Sequence, residues 1–305
     1  VVVFIKKASE LKPKQTAKTL LHNHLSGFDP ARSMKTVHAS ELTKADGFCP
    51  RAYALHDVTK IKPKDRWLST SEAVTFQMGR DLERNVVSWF GDMGRAVCHW
   101  RCIVCGTTHL FQLRPAKCSK CGDLWTSRFE PKEVRLESAV TGASCGIDML
   151  LALGGSKLVP YELKTIDKDE FKSLLAPLGE HRERTSLYLR IIAESDTPWA
   201  AQIDTSRAYI LYVSKGGYGC LDSGLKSSGI NEKYSPFKEF EVIRNDALTE
   251  EYASAAKVVK DFRDGKIGMP KGICSTALGK RAQNCPFKVP CFDGSYPPGQ
   301  FHEAQ

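Results

Sequence analysis

The 305-residue sequence predicts an α/β fold with a central mixed β-sheet flanked by helices. Three observations carry that reading. Val74, Met78, Leu82 and Val86 recur at spacing four and mark one apolar stripe on a long helix over about 72–90. Two apolar runs, 147–153 and 158–165, flank Gly154-Gly155, a pair suited to a tight turn between strands. A helical stretch at 168–195, a strand at 208–213 and a helix at 247–264 follow, so helices and strands alternate after the meander.

Residues 1–37 are basic and polar, with little pattern. The apolar start, residues 1–5, is short, runs into lysines and lacks the order of a signal peptide. Ser40 is placed to cap a first helix with Glu41 in its first turn, and Gly47 loosens its end. Cys49-Pro50-Arg51 opens a second apolar stretch through Leu55. Ser71 is placed to cap the long helix, on which Gly79 and Glu83 share a face apart from the apolar stripe. Residues 98–128 form an insert with five cations (Arg101, Arg114, Lys117, Lys120, Arg128) against one acid, Asp123, an excess that suits a polyanion. Residues 133–140 alternate as a strand does. On the 168–195 helix, Tyr188, Ile191 and Ile192 take the apolar side. The tail beyond Gly265 is loop-like, with three cysteines. The resulting segments are an N-terminal helical part (1–97), the insert (98–128), a core (129–264) and a C-terminal segment (265–305).

A hydrophobic fraction of 42% supports a packed core and excludes global disorder. The formal net charge of +9 favours a polyanionic partner such as nucleic acid. No apolar run is long enough to cross a bilayer, so no membrane partner is expected, and the expected location is the cytoplasm. Eleven cysteines in such a chain point to metal ligands before disulfides. Cys98, Cys145 and Cys220 fall outside the ligand-like groups and read as small buried or half-buried residues.

Chemistry concentrates in three places. Glu162 and Lys164 alternate onto one strand face, and the turn at Gly154-Gly155 brings Asp148 roughly opposite them. Two carboxylates suit Mg²⁺ or Mn²⁺, which can polarise a phosphodiester and acidify a water, while the lysine orients that water or neutralises developing charge. Secondly, Cys102-x2-Cys105, twelve residues and Cys118-x2-Cys121, with Gly106 and Gly122 after each pair, make a four-thiolate site for Zn²⁺, with rubredoxin-like iron as the lesser alternative. His99 and His109 read as surface groups beside it. Trp100, Phe111 and Trp125 either stack a nucleic-acid strand or form the insert's own small core. Thirdly, Cys49 precedes the core and Cys274, Cys285 and Cys291 follow it. Four thiolates suit a cubane cluster, and such a clip would close a loop spanning most of the chain. A zinc site or unligated cysteines are the alternatives.

Gly146-Ile147-Asp148 followed by Glu162-Leu163-Lys164 resembles the PD-(D/E)xK nuclease core, in its RecB-like branch. The resemblance implies a restriction-endonuclease-like fold. That branch carries Gly-x-x-x-His on an upstream helix, its histidine a metal ligand. Here Gly79-Arg80-Asp81-Leu82-Glu83 puts Glu83 at that place, as in related viral-type exonucleases. The branch's Gln-x-x-x-Tyr corresponds to Arg184 and Tyr188, with arginine where glutamine would stand. Tyr212-Val213-Ser214-Lys215 resembles its closing strand. One cysteine before the core and three after it is the pattern of the iron–sulfur subset, which includes CRISPR-associated exonucleases and AddB-type recombination nucleases. Their last three cysteines are separated by two and then five residues; here the intervals are ten and five.

The resemblance implies a Mg²⁺- or Mn²⁺-dependent DNA exonuclease for recombination, repair or end processing, in a bacterial or phage-infected cell. Glu83, Asp148, Glu162 and the Leu163 carbonyl would hold the metal, and Lys164 would assist the water. Arg51, Arg184, Tyr188, Lys215 and the basic insert and tail would hold DNA, single-stranded or at duplex ends. Cys49, Cys274, Cys285 and Cys291 would hold a [4Fe-4S] cluster. With no Gly-x-x-x-x-Gly-Lys-Ser/Thr, any helicase or recombinase partner is a separate chain. The competing class is a non-catalytic nucleic-acid-binding module scaffolded by zinc and the cluster.

Overall fold

A computed structural model describes residues 17–63, 65–125, 128–216, 225–226, 229–230 and 235–294. The expectations for residues 1–5 and for Cys220 lie outside the described residues. The chain runs α1 (Ala17–Leu25), β1 (Gly27–Asp29), β2 (Val37–His38), α2 (Ala39–Leu42), α3 (Pro50–Thr59), β3 (Arg66–Leu68) and α4 (Thr70–Asp92). Then come β4 (Ala96–Cys102), β5 (Thr108–Leu113), β6 (Phe129–Lys132), β7 (Val134–Glu137), β8 (Ala143–Ile147), β9 (Met149–Leu151) and β10 (Val159–Ile166). α5 (Lys168–Ser173), α6 (Gly179–Ala193), β11 (Arg207–Ser214), β12 (Leu225–Lys226), β13 (Gly229–Ile230) and β14 (Phe237–Ile243) follow. The last elements are α7 (Asp246–Arg263), α8 (Lys280–Asn284) and α9 (Lys288–Asp293).

The central sheet has seven strands, in the order β14-β11-β10-β9-β4-β5 with β6 also on β4. Among its described strands β10 and β11 alone pair in parallel, and the crossover between them passes through α5 and α6, as parallel neighbours require. The sheet is therefore mixed, as expected. A smaller sheet, β2-β8-β7, stands beside it. α4 packs across β10, β4 and β6, while α6 packs on β11 and β8 and against α7. Between these layers Ile147, Leu150, Leu163, Leu187 and Ile191 are buried. Among the described residues no helix is long and apolar enough to cross a membrane.

Several local expectations are corrected. The cap of α4 is Ser69, not Ser71. The Glu72 amide donates to the Ser69 hydroxyl (3.3 Å), and the Ser69 amide donates back to the Glu72 carboxylate (2.9 Å), a reciprocal capping box. The spacing-four stripe splits: Val86 is buried, whereas Val74 and Met78 are exposed, and in the first half of α4 it is Gly79 that lies against β10. Ser40 lies inside α2 and bonds Arg32 instead of capping; His38 is the N-cap, without a side-chain capping bond.

The 168–195 helix is interrupted at 174–178. Pro177 disfavours helical backbone before it, and the Lys238 ammonium satisfies the freed carbonyls of Phe171 (2.7 Å), Lys172 (3.2 Å) and Leu174 (2.8 Å). The run 147–153 is two strands in two sheets, with β8 ending at Ile147 and β9 starting at Met149. The tail is partly helical, in α8 and α9. β4 crosses the 97/98 boundary, so the insert continues the central sheet.

Candidate functional site

Asp148 occupies the single residue at which the chain changes sheets. Tyr161 stands opposite Met149, so the next step of the register sets Glu162 against Asp148. The Leu163 amide donates to Asp148 Oδ2 at 2.7 Å, which anchors the carboxylate across the hairpin. Glu162 and Lys164 share a face of β10, and Lys164 Nζ donates to Glu162 Oε1 at 2.5 Å and to the Leu163 carbonyl at 3.1 Å. Leu163 buries its side chain on the other face.

Gly79 lets α4 approach β10 closely: a Cβ there would sit 3.2 Å from Thr165 Oγ1. One turn on, Glu83 faces the same group. Burial pushes the Glu83 carboxyl up, Lys164 opposes it, and Glu162 and Glu133 add to the rise. Burial pushes Asp148 well above the usual carboxylate range, and Glu162 pushes it further, against Lys164. Burial works against the Lys164 ammonium, yet Glu162 and Asp148 outweigh it and hold its pKa above the ordinary lysine value. The Tyr188 hydroxyl is also raised, by burial first and then by Glu162 and Asp148. Glu83, Asp148, Glu162, Lys164 and Tyr188 thus form one electrostatic unit.

The remaining predicted residues are placed unevenly. Arg184 lies one turn from Tyr188 on α6, bonded to Glu180 and donating to the Thr43 hydroxyl at 3.2 Å. Lys215 sits just past the β10–β11 pair, its amide donating to the Ile166 carbonyl at 2.9 Å. Arg51 lies at the tail instead, donating to the carbonyls of Pro270 (3.3 Å) and Cys291 (3.2 Å).

His181 escaped the sequence reading. Its Nδ1 lies 2.8 Å from the hydroxyl of buried Tyr212, which already accepts the Leu178 amide at 3.1 Å. The hydroxyl keeps one proton to give and a second lone pair to offer, so the direction of this bond and the tautomer of the His181 ring are set together. Burial, then Lys164 and Arg184, push His181 down to about 4, so it is neutral at pH 7. Its signal was its place three residues before Arg184 on one helix face.

The insert builds a compact thiol site. The sulfurs of Cys102, Cys105, Cys118 and Cys121 all lie within 4.8 Å of one another, with Cys102–Cys121 at 3.7 Å and Cys105–Cys118 at 3.6 Å. A tetrahedron with metal–sulfur arms of about 2.3 Å has edges of about 3.8 Å. The quartet therefore fits a single ion. Gly106 and Gly122 have φ of 74° and 75°, and their amides close the knuckles onto the carbonyls of Cys102 (2.8 Å) and Cys118 (2.9 Å). His99 and His109 are not surface groups. His99 Nδ1 accepts the Phe111 amide (2.9 Å), and His109 packs edge-on against Phe129. Trp100 is fully buried and Phe111 stacks on Trp199, so both serve the interior, while Trp125 is exposed.

Cys49, Cys274, Cys285 and Cys291 line one cavity of about 910 Å³. Cys49 is the N-cap of α3, Cys285 the C-cap of α8, and Cys291 lies in α9. Burial pushes the Cys285 thiol up, and the other three cysteines add to it. Among the described residues, only the insert quartet brings three or more candidate ligand atoms within 4.8 Å; the clasp thiols and the acid trio are spread more widely. A cubane takes each thiolate on a separate corner, so a wider spread suits it. Cys98 and Cys145 are buried, as expected.

No family model matches the chain, and no curated protein matches it. The chain is similar to a solved structure described as the crystal structure of SSO0001, at 16% identity and a TM-score of 0.38, over 90% of this chain and 93% of that one. It is also similar to the crystal structure of LHK-Exo in complex with dAMP, at 12% identity and a TM-score of 0.40, over 76% and 89%. Likenesses this loose carry no argument about the site.

Proposed function

We propose that the chain is a Mg²⁺- or Mn²⁺-dependent deoxyribonuclease, an exonuclease acting at DNA ends in recombination, repair or end processing, of the RecB-like iron–sulfur type. The carrying observation is the convergence of Glu83 from α4, Asp148 from the sheet junction, and Glu162 and Lys164 from β10. Asp148 is buried against a second carboxylate and destabilised as an anion even with the Lys164 ammonium nearby, so three acids stand against one ammonium and the oxygen donor set suits a hard cation. Glu83, Asp148, Glu162 and the Leu163 carbonyl would hold it. When bound, the ion polarises a phosphodiester oxygen and acidifies a water.

The chain's own residues supply the rest. Lys164 keeps its proton and offers a fixed ammonium to the attacking water or the developing phosphate charge. Arg184 offers a further donor for a phosphate oxygen near Lys164, with the neutral ring of His181 beside them. Tyr188 closes the cluster on the α6 side, and Lys215 extends its positive edge. Zn²⁺ in the insert and a [4Fe-4S] cluster in the tail cavity are scaffolds on this reading, the second joining the chain's two ends. Arg51 then serves the clasp before the DNA.

Anaerobically purified protein, assayed for iron and zinc and incubated with Mn²⁺ and end-labelled single- or double-stranded DNA, should shorten the DNA from its ends. Glu162→Ala and Lys164→Ala should abolish digestion while iron and zinc stay bound. Digestion that survives both changes would overturn the site; a wild type that binds DNA without cutting would leave the binding-module reading.

A further inference from the structure

We infer that the exposed tip of the insert is a stacking platform for unpaired nucleotides, set beside the acid cluster. The inference deepens the nuclease reading and rests on it for the class of ligand. Ile103, Val104, Leu124 and Trp125 are 61%, 53%, 68% and 66% exposed. They are not the insert's own core, which buried Trp100, Phe129, Cys102 and Cys118 already fill. Backbone bonds tie the two segments through Arg128: the Ile103 amide donates to the Arg128 carbonyl, and the Arg128 amide donates to the Trp125 carbonyl, both at 2.9 Å. The tip thus presents apolar side chains and an indole, with the Arg128 guanidinium over the Trp125 ring at 5.5 Å from its centroid, which leaves the ring's other face to a base.

Charge identifies what covers it. Arg101, Lys117, Lys120 and Arg128 are exposed on the same small insert. The insert's one acid, Asp123, is spent on Arg128 (2.8 Å) and on the Trp125 amide (2.9 Å). Apolar side chains with cations on the same insert match a strand whose base faces are bare and whose phosphates are near. A duplex hides its base faces, so the platform selects unpaired nucleotides.

The position fits. β4 and β10 are both antiparallel to β9, so they run in the same direction, and the insert leaves the sheet on the Lys164–Thr165 side. Continuing the β4–β9 register puts His99 level with Asp148, so Cys102 stands about 10 Å further along the strand direction. Arg84, next to Glu83, reaches Glu130 of β6 at 3.5 Å, and Glu130 pairs with Arg101. The root of the insert is therefore tied to α4 one residue from a proposed metal ligand.

The test uses the full chain without added Mg²⁺ or Mn²⁺, so that binding is read without cutting. Fluorescence anisotropy compares a labelled single strand of about 12 nucleotides with a blunt duplex of equal length. The Leu124→Ala/Trp125→Ala variant should retain its zinc and lose roughly five- to a hundredfold in single-strand affinity, with the duplex affinity changed less than about twofold. Trp125→Phe should keep most of the affinity. Unchanged single-strand affinity in a zinc-loaded variant overturns the inference. So does an equal loss on duplex, or an effect confined to self-association of the protein, which would make the tip a protein-docking face. A chain that shows the binding loss but never cuts DNA sinks only the nuclease reading, and one that cuts with unaltered binding sinks only the platform.

Discussion

Replacing Asp148 by Asn should stabilise the metal-free site while disabling it. The amide keeps an oxygen for the Leu163 N–H, which now bonds Asp148 Oδ2 at 2.7 Å, and its NH2 can donate where the carboxylate repels Glu162. A buried charge is removed without loss of shape. The gain is about 1–2 kcal/mol at neutral pH, the ordinary range for relieving a functional site. The sign follows from linkage. Folding raises the pKa of Asp148, so the folded state binds more protons and the penalty grows as pH rises from the unfolded carboxylate value through the folded one. The advantage of Asp148→Asn is therefore largest at neutral pH and above, and fades in acid. Thermal midpoints of anaerobic, zinc- and iron-loaded protein read it, with and without Mn²⁺. The variant should start higher, and only the wild type should rise on adding Mn²⁺. A variant less stable than wild type at pH 7, or one stabilised equally by Mn²⁺, would refute the reasoning.

Other changes test other parts. His181, with its pKa pushed down to about 4, costs the fold stability as pH falls from about 6.5 toward 4, because the unfolded chain protonates first; His181→Gln should flatten that window in denaturant titrations at stepped pH. Lys238→Met removes the donor for three carbonyls at the end of α5 and should cost about 1–3 kcal/mol in chemical denaturation. The two cysteine groups should empty independently: Cys118→Ser should lower zinc and spare iron, and Cys285→Ser should do the reverse, read by elemental analysis and visible absorbance.

The parts legible in the sequence were those set by local rules. Alternation along β10 and a tight turn were enough to place Glu162, Lys164 and Asp148 together, and the spacing and glycines of the insert were enough to place its four thiols. What escaped depends on packing between distant segments. The apolar run through 147–153 hides the change of sheet at Asp148, because both sheets bury their strands there. Val74 and Met78 match the helical period, but the face that meets β10 there carries Gly79, so both stay exposed. His181 has meaning only beside Tyr212, supplied by β11. The bonds of Arg51 to the Pro270 and Cys291 carbonyls depend on the tail folding back across most of the chain, which no local pattern announces. β14 alternates in its own sequence yet went unread, and it became decisive by pairing along β11 and sending Lys238 to α5.

The central claim is that Glu83, Asp148, Glu162 and Lys164 make one hydrolytic site. End-labelled DNA incubated with Mn²⁺ and each of Glu83→Ala, Asp148→Asn, Glu162→Ala and Lys164→Ala, all shown to retain iron and zinc, tests it most directly. The account predicts digestion by the wild type and loss of digestion in all four variants. Digestion persisting in the Glu162→Ala and Lys164→Ala proteins would contradict it.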